Sequence, residues 1–551
     1  MPKRTKRARK FKRQTHNHNS KKNYLCEKGK SLEECELDIV RNAVDKAEQK
    51  KGKKMIMTPE IQNIVGIVEN FLKKKKLICY GGTAINNILP VSDQFYNKEI
   101  ELPDYDFYSM NAMDDAKELA NIYFKAGFDE VQASSGQHYG TYKVYVNFIP
   151  IADITQLSSE IYKNLRKDAI RVAGIHYSPP NFLRMAMYLE LSRPDGDVSR
   201  WEKVLKRLLL LSKNYPLKGK RCDEIEVQRH MENKNVKQNQ ESIYTTVRDS
   251  LIDQGVIFFG AYANSLYLNY LPKKRREQYI PDFDVLSEDP ETTTMILKER
   301  LQDEDIKGIK IRKHDKIGEL VAKHYEVIVG DETVAFIYEP LACHSYNKIT
   351  INNRKVNVAT IDTMFSFFLA FYYSNRPYYD KNRIMCLCEQ LFTIRRKHRL
   401  SQKGLLKRYT ITCYGNQPTI EDMRALKAQK FEELKHKKNK KNKKEYEQWF
   451  LRYAPRDVKK RNNKKSSKSK QTNGKTYTRK MSMPGKIENA ISISKTALPE
   501  TLKDNYSYTP EASKTKKASK SKTIKKSKAL RKRNKSKRST RKKVNFLGFN
   551  F

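Results

Sequence analysis

The chain has 551 residues and a formal net charge of +48, from 111 Lys and Arg against 63 Asp and Glu. That length excludes a single small module and leaves room for a pair of large domains or roughly three or four ordinary ones. The charge is concentrated: residues 1–30, 455–480 and 511–551 carry +11, +10 and +16, so that 97 residues hold +37 of the total.

These Lys/Arg runs are interleaved with Ser, Thr, Asn and Gln and are poor in apolar residues, which makes them flexible arms by composition. Such arms suit polyanions, because each neutralised phosphate releases counterions; a solubilising or targeting tail is the alternative. The N-terminus MPKRTKRARK has no apolar core and does not read as a secretory signal. The longest apolar-aromatic run, Met364 to Tyr373, is too short to cross a bilayer. Eight cysteines show neither CxxC pairs nor zinc-like spacing, which argues for reduced thiols in a soluble, intracellular protein.

Along the chain, Ile61, Ile64, Val65, Val68, Phe71 and Leu72 fall at helical spacing, and Lys73 to Lys76 complement the C-terminal end of that helix. Leu77 to Tyr80 read as a short buried strand, and YGGTAINNILP (80–90) then places Gly81, Gly82 and Thr83 between strand and helix. Two explanations compete for such a glycine pair: a tight turn needing positive φ, or close approach of the backbone to a phosphate. LPDYDFYS (102–109) puts Asp104 and Asp106 two apart in a strand-like segment, so both carboxylates face one side. Neighbouring like charges are costly unless a cation lies between them, and hard oxygen ligands suit Mg²⁺ or Mn²⁺. A third acid, Asp153, closes the strand-like run TYKVYVNFIPIADIT (141–155). Three acids on neighbouring strands can hold two metal ions that activate a hydroxyl and brace a leaving pyrophosphate.

This order of GG[ST], DxD and a later Asp resembles the nucleotidyltransferase superfamily typified by DNA polymerase β. The resemblance implies that Asp104 and Asp106 are ligands of both metals, that Asp153 is the third ligand and helps deprotonate an attacking 3′-OH, and that Gly81, Gly82 and Thr83 meet the triphosphate of the incoming nucleotide.

YSPPNFLRMAMYLELSRPDGDVSRWEKVLKRLLLLSKNYPL (177–217) predicts two helices joined by a turn at 194–197, with Asp197 or Ser199 as N-cap. Arg184, Arg193, Arg200, Lys203 and Lys206 interleave there with Tyr188 and Trp201, which fits either an RNA-binding surface or an ordinary solvated basic face. Residues 243–289 then repeat the first layout: Gly260 lies 179 residues after Gly81, and Asp282 and Asp284 lie 178 after Asp104 and Asp106. In this copy Gly260-Ala261-Tyr262 replaces the GGT, and YEVIVGDETVAFIYEP offers only Glu339 near the place of a third acid. The second copy is therefore expected to keep the fold and lose catalysis.

Taken with GGTA, LPDYDF, HYGTYKVYVNFIPIADIT and the altered second copy, residues 55–415 resemble the poly(A) polymerase catalytic subunit of large cytoplasmic DNA viruses, of poxvirus and giant-virus type. That resemblance implies an α/β (α+β) fold with two tandem nucleotidyltransferase-like domains, the second degenerate. It implies Mg²⁺ or Mn²⁺, ATP as donor, an mRNA 3′ end as acceptor, and a location in the virion and the host cytoplasm. In poxviruses a separate cap-methylating subunit confers processivity; the long basic arms here leave open whether such a subunit or self-association serves this chain. The expected organisation is a basic arm (1–54), a catalytic domain with helical extension (55–218), a degenerate domain (219–415), a charged helical segment (416–454) and a disordered basic tail (455–551). The aromatic terminus NFLGFNF (545–551) reads either as a docking segment or as a frayed end. A CCA-adding or oligoadenylate-forming enzyme shares the acid triad, and a non-catalytic RNA scaffold is the reading from another class.

Overall fold

The computed structural model describes residues 30–56, 58–97, 101–225, 240–272, 280–435 and 443–458. Most of the expected arms, and the aromatic terminus, lie outside the described residues. Helix α1 (Leu32–Ile56) begins inside the segment expected to be an arm. Ser31 and Glu34 explain its start: Ser31 N–H donates to Glu34 Oε2 at 2.7 Å and Glu34 N–H to Ser31 Oγ at 3.2 Å, a reciprocal capping box.

The first domain opens with α2 (Pro59–Lys75), capped by Thr58, started by Pro59 and stopped where Lys76 turns left-handed at φ 57°. Its buried face is Ile61, Ile64, Val68, Phe71 and Leu72, the stripe its sequence spacing predicts. There follow β1 (Ile78–Cys79), α3 (Gly81–Ile88), β2 (Tyr105–Ser109), α4 (Ala112–Lys125), β3 (Val131–Ser135), β4 (Thr141–Val146), β5 (Ile149–Gln156), α5 (Ser159–Asp168), β6 (Ile170–Val172) and β7 (Ile175–Tyr177). The helical connection is α6 (Pro180–Leu191) and α7 (Trp201–Asn214).

The second domain contains α8 (Gln240–Asp253), β8 (Ile257–Phe258), α9 (Ala261–Leu268), β9 (Phe283–Leu286), α10 (Pro290–Asp303), β10 (Ile309–His314), β11 (His324–Val329), β12 (Glu332–Tyr338), β13 (His344–Ile351), β14 (Arg354–Ala359), α11 (Ile361–Ser374), α12 (Lys381–Lys397) and β15 (Cys413–Tyr414). Finally come α13 (Ile420–Lys435), α14 (Lys443–Phe450) and β16 (Arg452–Tyr453).

Two sheets carry the duplication. Their orders are β16-β3-β4-β5-β2-β1-β7-β6 and β10-β11-β12-β9-β8-β14-β13-β15, and β3-β4-β5-β2-β1-β7-β6 matches β10-β11-β12-β9-β8-β14-β13 strand for strand. Directions agree as well: β1 is antiparallel to β2 and parallel to β7, as β8 is to β9 and β14. Even a register shift recurs, between Val144 and Tyr145 in the first sheet and between Val327 and Ile328 in the second. The sheets are joined through apolar helices, with Tyr188 of α6 stacked on Phe365 of α11 at 4.5 Å and Phe182 edge-on to Tyr373 at 5.2 Å.

Residues 416–454 are not a free-standing segment. β16 pairs with β3 at the edge of the first sheet, Trp449 lies 4.4 Å from the Tyr139 ring, and Lys117 pairs with Glu447 at 2.7 Å, so this stretch returns to the first domain. The expectation of reduced thiols also fails: Cys222–Cys386 and Cys343–Cys413 are disulfides, while Cys79 and Cys388 are free and buried. The bonded partners lie 164 and 70 residues apart, so no local spacing announces them. Among the described residues no helix is long and apolar enough to cross a membrane.

Candidate active site

Strand β1 ends at a turn that only glycine fits. Gly81 has φ +73°, and a Cβ there would overlap Asp106 Oδ2. Tyr80 N–H donates to the Asp106 carbonyl at 2.9 Å, fastening the turn to β2. Gly82 is crowded from the other side, since a Cβ would meet Tyr96 Oη at 2.5 Å and the Arg207 guanidinium nitrogens at 2.9 and 3.1 Å. Of the two readings of the glycine pair, the turn is therefore accounted for at Gly81 by conformation and by the acid behind it, and at Gly82 by an arginine. The Thr83 hydroxyl donates to the Asp104 carbonyl at 2.7 Å, tying α3 to the loop that carries the first acid.

Of the three acids, Asp106 and Asp153 meet on adjacent strands, while Asp104 lies just before β2, which begins at Tyr105. In the parallel pair β2/β5, Asp106 lies directly opposite Asp153, and both are buried while Asp104 stands at the mouth. Burial, then the charges of Asp104 and Asp153, push the Asp106 carboxyl well above the usual carboxylate range; burial and Asp153 raise Asp104. Lys143, opposite Asp153 across β4/β5, forms an ion pair with it; burial opposes the charge on Lys143, and the Asp153 contact outweighs that and raises its pKa. Three hard oxygen donors, two of them raised in pKa by burial and by the neighbouring acids, fit Mg²⁺ or Mn²⁺.

The second copy fails at the third position. In β9/β12 the residue opposite Asp284 is Phe336, and the residue opposite Phe336 on β11 is Glu326. Phe336 thus stands where Asp153 does and Glu326 where Lys143 does. Glu339, the candidate from the sequence, lies beyond the end of β12 and is not the equivalent residue.

The basic residues on α6 and α7 divide. Arg184 is fully buried, its guanidinium bonded to Asn181 and to the Tyr215 carbonyl, so it belongs to the helix packing and not to an RNA-facing surface. Tyr188 is likewise buried, and the Trp201 indole donates to the Glu190 carbonyl at 3.0 Å, so neither is a free stacking platform. Arg193 is half-buried, and burial lowers its pKa to about 10. Arg200 pairs with Glu190 at 3.0 Å, and its charge reaches Asp106. Lys203 is exposed at the same end of α7. Lys143, Tyr96 and Arg207 are the site residues that sequence reasoning missed. Arg207 had a legible signal, a charge on the apolar face formed by Val204, Leu208 and Leu211.

Comparison with known proteins covers this same region. Residues 66–197 match the family model for the poly(A) polymerase catalytic subunit. They span the glycine turn and all three acids. A protein of Acanthamoeba polyphaga mimivirus assigned as such a subunit is 26% identical over 250 residues, 44% of this chain and 41% of its own length. An African swine fever virus protein with the same assignment is 32% identical over 164 residues, 29% of this chain and 34% of its own. The chain thus spans about two fifths and one third of the lengths of these relatives. The fold resembles that of the Megavirus polyadenylate synthase, with a TM-score of 0.64 at 19% identity, covering 85% of this chain and 95% of that one.

Proposed function

We propose that this chain is a metal-dependent polynucleotide adenylyltransferase that adds AMP from ATP to RNA 3′ ends, as the catalytic subunit of viral mRNA polyadenylation. The observation that carries the reading is the register of Asp106 against Asp153 on adjacent parallel strands, with the Gly81 turn pressed on Asp106. The poly(A) polymerase family match over that region favours ATP among the nucleotides.

In this reading the 3′ oxygen of the primer attacks the α-phosphorus, its proton passes by way of Asp153 to solvent, and pyrophosphate leaves with the old phosphoanhydride electrons. Two Mg²⁺ or Mn²⁺ ions, when bound, lower the pKa of the 3′-OH and neutralise the charge that builds on phosphate. Asp104, Asp106 and Asp153 are the residues that would hold these ions, with Asp153 also placed to help deprotonate the attacking 3′-OH. Asp104, at the mouth, is free to reorient as a ligand arrives, whereas Asp106 is fixed by the turn behind it. Lys143, ion-paired with Asp153, supplies the positive charge beside the third acid.

The test is incubation of the full chain with a labelled RNA primer, Mg²⁺ or Mn²⁺ and each of the four NTPs, beside Asp106→Ala. A ladder from ATP alone that the variant cannot make supports the reading. Undiminished extension by Asp106→Ala sinks the site, and absence of extension with every nucleotide favours a non-catalytic RNA-binding scaffold.

A further inference from the structure

Arg207 is the most conspicuous charge on the apolar face of α7. It is only 4% exposed. Its Nη2 donates to Tyr96 Oη at 2.5 Å, and its guanidinium lies 5.1 Å from the centre of the Phe95 ring and 5.6 Å from that of Tyr96. The two aromatic residues are themselves pinned, since the Phe95 and Tyr96 N–H groups both donate to Asn86 Oδ1 at 2.8 Å. The segment before them is tied back to α7 by Asp93, which accepts from Lys213 Nζ at 2.8 Å and Asn214 Nδ2 at 2.7 Å.

With so much holding it, the guanidinium still lacks two things. Its buried Nη1 has no hydrogen-bond partner, and among the described residues no carboxylate pairs with it. The nearest acid whose charge it feels, Glu190, is ion-paired with Arg200 instead, and a buried guanidinium with an unmet N–H and no direct ion pair is expensive and persists in a binding site when a ligand supplies the anion. Position narrows that ligand. Nη1 and Nη2 lie against Gly82, at the N-terminal turn of α3, where backbone N–H groups already favour an anion. Just before the same helix, Arg200 has a second buried, unpartnered nitrogen, Nη2, and lies near enough to Asp106 to act on its carboxylate.

We propose that Arg207, supplied by the helical connection and not by the glycine turn, binds the β- and γ-phosphates of the incoming nucleoside triphosphate, with Arg200 as its second contact. Phe95 and Tyr96 act as positioning residues that hold the guanidinium plane toward Gly82. A planar fork presenting a free N–H edge suits two phosphate oxygens, and burial limits access to a small group that reaches in past the turn. Backbone phosphates of a long RNA lie on a surface, and Arg207 offers them almost none. The assignment rests on the nucleotidyl-transfer reading and refines it by separating the phosphates that leave from the acids that hold the reacting one.

The experiment measures equilibrium binding, without RNA, of ATP and of inorganic tripolyphosphate to the full chain in Mg²⁺, for the native protein, Arg207→Met, Arg207→Lys and Tyr96→Phe. RNA affinity and thermal unfolding are recorded in parallel. Loss of the charge-assisted contacts in Arg207→Met is expected to weaken tripolyphosphate about 10- to 100-fold. Arg207→Lys should recover part of that loss, and Tyr96→Phe should raise the KM for ATP without lowering kcat in proportion. RNA affinity should stay within about twofold in all of them, since the lost contact is not to RNA. The proposal is overturned if folded Arg207→Met or Arg207→Lys binds tripolyphosphate as the native chain does, or if RNA binding falls and tripolyphosphate binding does not. Binding of tripolyphosphate that depends on Arg207, in a chain that extends no primer, would uphold the phosphate site and reject adenylyl transfer.

Discussion

Replacing Gly81 by Ala, with Gly260→Ala as its counterpart, separates what the glycine does for the fold from what it does for the acid behind it. At φ +73° an alanine is strained by roughly 1–2 kcal/mol, which corresponds to a fall of about 2–4 °C in Tm per kcal/mol for a domain of this size. The new Cβ also overlaps Asp106 Oδ2, and because Asp106 is only 6% exposed the carboxylate cannot simply swing into solvent. Displacing a metal-binding oxygen by about 1 Å costs on the order of 100-fold in turnover, far more than the stability change alone would remove. Gly260 in the second copy has φ −86°, so it carries no left-handed strain, yet its Cβ would overlap Asp284 Oδ2 in the same way. Gly260→Ala should therefore lower Tm and leave nucleotide addition intact. The assays are calorimetric unfolding and primer extension at saturating Mn²⁺. Native turnover in Gly81→Ala, or lost turnover at unchanged Tm in Gly260→Ala, would refute the reasoning.

Four further outcomes are expected. Because Asp104 and Asp106 have raised pKa values in the folded chain, the metal-free protein binds more protons folded than unfolded; its stability should fall as pH rises from about 4 through those raised values, and Mn²⁺ should oppose the fall. Tm profiles against pH that coincide with and without Mn²⁺ would contradict this. Reduction should destabilise the second domain, each disulfide contributing about 2–4 kcal/mol, and an unfolding curve unmoved by dithiothreitol or by Cys343→Ser would show the pair to be thiols in solution. Removing residues 459–551 should weaken RNA binding and flatten the slope of log affinity against log salt, so an unchanged slope would mean that those lysines meet no phosphate. Asp282→Asn with Asp284→Asn should leave addition at the native rate, and a tenfold fall would restore a functional role to the second copy.

Features encoded locally were the ones legible in the sequence. The stripe from Ile61 to Leu72, the strand-turn-helix around Gly81 and the acid pair at 104 and 106 each depend on spacing within a few residues, and the structure places them as the spacing requires. The duplication was legible because insertions between its landmarks happen to balance, leaving offsets of 179 and 178. What failed depends on contacts across the chain. Arg184 is the one basic residue of α6, and only the packing of α6 on α11 shows that its side of the helix is interior. The cysteine pairs are separated by whole elements. Arg207 was legible only in part: its place among Val204, Leu208 and Leu211 marks an interior position, but what it faces is set by a turn from elsewhere in the chain.

The difference between the copies lies in a pair of residues, and pairing is what a linear reading lacks. YEVIVGDETVAFIYEP contains four acids, and which of them faces Asp284 depends on where the β11–β12 hairpin turns. The turn at Gly330 and Asp331 puts Phe336 in that place. Had an aspartate remained there without its lysine, three buried carboxylates would face one another with no counter-charge, at several kcal/mol. In the second copy both partners are instead different: Phe336 packs against the Tyr378 ring at 5.5 Å, and Glu326 is satisfied by Arg312 at 3.0 Å, His314 at 2.8 Å and Thr333 at 2.6 Å. The charges have moved to the outer strands and an aromatic cluster fills the place of the third ligand. Restoring an acid by Phe336→Asp alone should therefore destabilise the second domain without creating a metal site, because the cross-strand residue would still be Glu326. The two copies therefore differ at a cross-strand pair, Lys143 with Asp153 against Glu326 with Phe336, and not at a single residue.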